Sequence, residues 1–86
     1  MYTIEYKKFI KKDIRKIPNP ALNLIKKRID GLKEDPFPVN SKSLSGYEGF
    51  YRIRVNKYRV LYQVVSGENV IVVYKIGHRK DVYRNF

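Results

Sequence analysis

Residues 51–62 read Tyr-Arg-Ile-Arg-Val-Asn-Lys-Tyr-Arg-Val-Leu-Tyr, two β-rich runs separated only by Asn56-Lys57. No other stretch limits the fold so tightly. β-branched and aromatic residues at alternate positions make half-buried strands. A two-residue connection makes such strands an antiparallel hairpin. Pairing across that turn sets Val55 against Tyr58, Arg54 against Arg59, Ile53 against Val60 and Arg52 against Leu61. Side chains alternate between faces along a strand. Tyr51, Ile53, Val55, Tyr58, Val60 and Tyr62 therefore share an apolar face, and Arg52, Arg54 and Arg59 share the other. Like charges directly opposite one another destabilise a sheet. Three guanidiniums kept together this way point to an anion as their partner. The plainer alternative is a solvated strand face on which the arginines lean apart, and a different turn length would separate the cluster.

The rest of the chain supplies cover for the apolar face. Residues 2–6 alternate apolar and polar as a short strand. Phe9, Ile10, Ile14 and Ile17 then fall at helical spacing, with Lys7, Lys8, Lys11, Lys12, Arg15 and Lys16 around them. Pro18 stops this first helix. Asn19-Pro20 reads as an N-cap followed by proline at the first helical position. Leu22, Ile25, Ile29 and Leu32 form the stripe of a second helix, which ends near Asp35-Pro36. Two helices joined so briefly are antiparallel neighbours. Residues 36–49, rich in Pro, Ser, Asn and Gly, read as a loop. Three strands follow, at 50–55, 58–65 and 70–76. Val70, Ile71, Val72 and Val73 are apolar in succession, the mark of an inner strand whose register stays open. A tail, 77–86, carries Gly77-His78-Arg79-Lys80 and Tyr83-Arg84. The expected class is α+β: an N-terminal strand, a helical hairpin and a three-strand antiparallel meander, in one antiparallel sheet with helices on one face.

Composition narrows the chemistry. With 86 residues there is room for one domain, expected to span 1–86, and none for a dinucleotide fold. There are no cysteines and only one histidine, His78, so thiolate and three-histidine metal sites are excluded and no cofactor is expected. No apolar run approaches the ~20 residues of a membrane helix, and no signal-peptide pattern is read at the start of the sequence. The expected setting is the cytoplasm. Nineteen Lys and Arg against eight Asp and Glu give a net charge of +11, outside the ~2–8 usual for a small domain. Both the helical half and the strand half carry the excess, so the charge belongs to the folded surface. The partner class is a polyanion: nucleic acid, a ribosomal surface or an acidic protein. The lysines of the first helix read either as a solvated face or as contacts to ribosomal RNA. Most of the eight tyrosines are in phase with core positions.

Four blocks, Leu44-Ser45-Gly46, Tyr51-Arg52-Ile53-Arg54, Tyr58-Arg59-Val60-Leu61-Tyr62-Gln63-Val64 and Ile76-Gly77-His78-Arg79-Lys80-Asp81-Val82-Tyr83, occur in an order and at a spacing that resemble the RelE-type toxins of toxin–antitoxin modules. The resemblance covers nearly the whole chain. It implies a fold akin to small microbial ribonucleases and a metal-independent endoribonuclease that cuts messenger RNA in the ribosomal A site. In that family the 2′-hydroxyl attacks the adjacent phosphate. It assigns catalysis to Arg52, Arg54, Arg59, Arg79 and Tyr83, and RNA binding falls to Lys57, Lys80 and Arg84. It implies a RelB-like antitoxin as partner, in a heterodimer or heterotetramer, beside the ribosome and its message. Well-known members carry lysines where this chain has Arg52 and Arg54. A lysine can act as a base and an arginine essentially cannot. His78 is the candidate base by its ordinary pKa; a partly buried histidine at a strand end is the plainer reading. The related ParE toxins share the fold, poison DNA gyrase by binding, and form the alternative.

Overall fold

The structure, a computed structural model, describes residues 1–83. Chain order is β1 (Thr3–Tyr6), α1 (Ile10–Arg15), α2 (Asn19–Gly31), β2 (Ser41–Ser43), β3 (Phe50–Val55), β4 (Tyr58–Val65) and β5 (Val70–His78). Among the described residues these strands form one five-stranded sheet in the order β1-β5-β4-β3-β2. The α+β class holds, with both helices on one face.

The β3–β4 hairpin has the expected register, including Arg54 opposite Arg59. Its turn works because Asn56 adopts φ +55°, a left-handed value that asparagine tolerates better than other side chains. Two features were not legible beforehand. Ser41–Ser43, inside the expected loop, forms the edge strand β2 on β3. Three polar residues carry no strand periodicity, and their ladder partner comes from elsewhere in the chain. The first strand, β1, runs parallel to β5 rather than antiparallel. Four residues hold no information on direction; β1 takes whichever edge of β5 the meander leaves open.

That pairing makes β5 an inner strand, as its apolar run implied. The register ambiguity is resolved by a bulge: Leu61 pairs with Lys75 but Tyr62 pairs with Val73, so Tyr74 is the extra residue. Ile71 and Val73 face the helices before the bulge, and Ile76 and His78 after it. Beyond the last β1 pair, the edge of β5 is capped from α1, where Asp13 Oδ2 accepts the Ile76 N–H at 3.2 Å.

The first helix is short and sits on β5, with Ile10 buried. In α2 the chain enters through Pro18, one residue before the expected cap, and no side chain caps the start. Turns after Gly31 continue to Asp35, whose N–H donates to Gly31 O, so the helical path does stop before Pro36. Ile25, Ile29 and Leu32 pack into a core with Ile53, Val60, Tyr62, Ile71 and Val73. Between the two helices runs a groove of about 550 Å³, floored by Ile14, Leu22 and Ile25 and edged by Lys8, Lys11 and Lys26. No described helix is long and apolar enough to cross a membrane.

Tyr62 ties the sheet to the segment after α2. Its ring is fully buried and its hydroxyl donates to Pro36 O at 2.7 Å. Burial pushes this phenol up to about 12, against a side-chain hydrogen bond with Ser41. An unfolded phenol ionises near ~10. The folded state therefore keeps Tyr62's contribution below that pH and loses it as pH rises toward 12. Tyr62→Phe is expected to be less stable than the parent by about 1 kcal/mol at neutral pH. The gap should close and reverse above the phenol range. Urea midpoints at pH 7 and pH 11.5 check this; a gap that stays constant would sink it.

Candidate active site

The face of the sheet away from the helices collects the cations. Arg52, Arg54 and Arg59 lie there by register. Lys42 pairs with Arg52 and Lys75 with Leu61, so both join the same face. Sequence reading missed these two lysines. Lys42 lies in the segment taken for a loop, and Lys75 follows the bulge that resets the alternation.

Arg52 is 7% exposed. Its Nη1 donates to Asn40 O at a long 3.4 Å. Among the described residues no carboxylate pairs with it. A buried guanidinium without an anion is costly. Asn40 also donates its Nδ2 to Arg54 O at 3.1 Å, so one loop residue braces both arginine positions of β3. Arg59 folds back over its turn, its Nη1 donating to Asn56 O at 3.0 Å and to Tyr58 O at 2.9 Å. Those bonds fix one corner of the fork.

The tail completes the cluster. Arg79 N–H donates to Lys57 O at 2.8 Å, and the N–H groups of Asp81 and Val82 both donate to His78 O at 2.9 Å. The resulting turn lays Val82 over Gly77, where an added Cβ would meet it at 3.7 Å. Gly77 is the partner of Arg59. Val82 is fully buried at that spot, and Tyr83 emerges beside it, 47% exposed. The electrostatic neighbours of Arg59 are accordingly Arg54, Tyr83, Arg52 and Arg79. Partial burial lowers its pKa first, the three like charges lower it further, and Tyr83 works in the opposite direction.

Other candidates fall elsewhere. His78 pairs with Tyr58, a helix-facing residue, and its ring meets the Tyr58 ring edge-on at 6.2 Å. Its Nδ1 accepts the Lys80 N–H at 3.2 Å. The sheet stands between this imidazole and the arginines, so His78 is not placed to act as their base; strand alternation, read one residue from Gly77, decides it. Lys57 leans over the Tyr58 ring at 6.0 Å, on the same far side. Lys80 is exposed in the tail turn. Arg84 lies outside the described residues. Among the described residues no group of three or more His, Cys, Asp or Glu could hold a metal ion.

A family model described as "ParE toxin of type II toxin-antitoxin system, parDE" matches residues 4–83, all of the sheet but Thr3, and the arginine cluster, included. This chain belongs to the RelE/ParE superfamily of toxins. Putative toxin RelE1 of Methanocaldococcus jannaschii is 33% identical over 87 residues, covering 98% of this chain and 97% of its own. The RelE–RelB complex of Pyrococcus horikoshii matches with a TM-score of 0.81 at 26% identity, over 94% of this chain and 98% of the other. The isolated Escherichia coli RelE toxin matches with a TM-score of 0.79 at 25% identity, over 91% and 84%. The RelE-like fold expected from the sequence is thereby shown, bulge and edge strand being details within it. For a superfamily toxin, the geometry gathers charge where a phosphate can be held by several guanidiniums at once.

Proposed function

We propose that this toxin is a ribosome-dependent endoribonuclease that cuts messenger RNA in the A site. What supports this reading most is one observation: Arg52, Arg54 and Arg59 share one sheet face, with Arg54 directly opposite Arg59, and the turn after β5 brings Arg79 and Tyr83 within electrostatic reach of Arg59. In the proposed reaction the 2′-oxygen bonds to the adjacent phosphorus, the 5′-oxygen leaves, and a 2′,3′-cyclic phosphate remains. The 2′-hydroxyl gives its proton to a base and the leaving oxygen takes one up. Negative charge grows on the equatorial oxygens, and fixed cations stabilise it. Arg59 and Arg79 hold the scissile phosphate. Arg52 and Arg54 hold the backbone and the developing charge. With His78 on the far face, Tyr83 is the titratable group left beside the phosphate; it orients or stacks the nucleotide or takes part in proton transfer. Lys57, Lys80 and Arg84 are assigned to the RNA periphery.

The ribosome as partner sets the work in the cytoplasm. The net charge of +11 and the arginine face call for an acidic or amphipathic antitoxin segment that covers them, as a RelB-like chain folding on binding does. A gyrase-binding role is the second reading, favoured by the ParE description of the matching family and by arginines in place of lysines at 52 and 54.

Purified protein added to a reconstituted translation reaction, with 3′ ends of the message mapped, separates the two. Codon-phased cuts are expected, suppressed by antitoxin and lost in Arg79→Ala and Tyr83→Phe. Intact message together with inhibited gyrase supercoiling overturns the nuclease in favour of the second reading.

A further inference from the structure

Consecutive backbone amides hold the turn after β5. Arg79 N–H donates to Lys57 O, and the Asp81 and Val82 N–H groups both donate to His78 O. The one between them, Lys80 N–H, donates to His78 Nδ1 at 3.2 Å. His78 thus receives the amides of Lys80, Asp81 and Val82, one on its ring and the others on its carbonyl. This is the arrangement of a helix N-cap, whose side chain takes the N–H two residues on and whose carbonyl takes the N–H four residues on. The turn it caps carries functional groups. Arg79 opens the turn and Tyr83 follows its last bond, both exposed and both within electrostatic reach of Arg59. His78 itself is half-buried on the helix side of the sheet, its ring edge-on to Tyr58.

We infer that His78 is a positioning residue of the proposed nuclease, its neutral imidazole capping the turn that presents Arg79 and Tyr83 to the phosphate. This inference rests on the nuclease reading. An Nδ1 that accepts an N–H carries no proton, so the neutral ring holds its one proton on Nε2. A second proton enters at Nδ1 and turns the acceptor into a donor that faces the Lys80 N–H. The cap and the imidazolium therefore exclude each other. Charged groups around the ring pull both ways. His78 lines a cavity of about 330 Å³ together with Asp13 and Lys16 from α1 and its end, Lys57 and Tyr58 from the hairpin, Lys75 from β5 and Asp81 from the turn. The carboxylates favour an imidazolium and the lysines oppose it. Acid loosens the turn, and Arg79 and Tyr83 lose their fixed place beside Arg59, although His78 touches neither the phosphate nor the arginine face.

The test measures single-turnover cleavage on programmed ribosomes for the parent, His78→Asn and His78→Leu. The pH runs from about 5 to 8, the span in which imidazoles as a class change charge. Asparagine is among the preferred caps and does not titrate. At the alkaline end His78→Asn is expected to cut within about threefold of the parent, and His78→Leu about 2–30-fold more slowly, the range of one lost cap. The ratio of the parent rate to the His78→Asn rate removes every titration the two share. It should fall with acid toward the ratio of His78→Leu to His78→Asn. Thermal unfolding checks the fold of each variant; should His78→Leu fail to fold, the parent-to-Asn ratio still decides. A ratio that stays flat with pH, or a His78→Leu equal to the parent, overturns the positioning role and leaves the nuclease standing. A folded His78→Asn as slow as His78→Leu also overturns it, making the ring's packing on Tyr58 the part that matters. Message left uncut by the parent at every pH overturns the nuclease reading and this inference with it.

Discussion

Arg59→Ala is expected to slow message cleavage by about 10²–10³-fold, the range seen when one preorganised charge donor is removed from a reaction centre. The size follows from position. Arg59 lies at the centre of the cluster, opposite Arg54 and beside Gly77. Its Nη1 is already committed to the carbonyls of Asn56 and Tyr58, so the fork presents itself to a phosphate with little orientation left to lose. Arg59→Lys keeps the charge and loses that planar fork, and should recover only part of the rate. Stability should hardly change, because the half-buried side chain faces like charges that its removal relieves. Single-turnover cleavage on programmed ribosomes, together with thermal unfolding, measures both. A variant within threefold of the parent rate would remove Arg59 from the mechanism.

Arg52→Met is expected to move activity and stability in opposite directions. The guanidinium is nearly buried, with one long hydrogen bond to Asn40 O. Replacing a poorly compensated buried charge by an apolar side chain of similar length removes a desolvation penalty. The unfolding midpoint should rise by about 4–8 °C, corresponding to ~1 kcal/mol in a domain of this size. Cleavage should fall by about 10²-fold through loss of a cation at the developing charge. Such a trade is typical of residues kept for function at the expense of the fold. A destabilised Arg52→Met would instead make this arginine a structural tie between β3 and the loop at Asn40.

Much of this was readable from local pattern. The alternation on either side of Asn56-Lys57 fixed which residues share a face, and the observed register agrees pair for pair. The stripe of Leu22, Ile25, Ile29 and Leu32 marked the helix that covers that hairpin. These signals survive because each depends on spacing within a few residues. Lys42 and Lys75 were not readable. One owes its strand to pairing with Arg52, and the other owes its face to a bulge; neither pairing leaves a periodicity in its own segment.

His78 marks the boundary most clearly. Composition made it the one histidine of a chain in need of a base, and the family resemblance placed it next to a functional arginine. A strand sends neighbours to opposite sides, and His78 follows Tyr58 to the helix face while Gly77 stays beneath Arg59. Tyr83 is the converse. Twenty-four residues beyond Arg59 in the chain, it is brought beside that guanidinium by a turn held on His78 O and by the burial of Val82. Short-range alternation and charge thus belong to the sequence, because they follow from covalent spacing alone. Which distant groups meet over one phosphate was decided by long-range pairing and burial, where the partner of each residue lies outside its own segment.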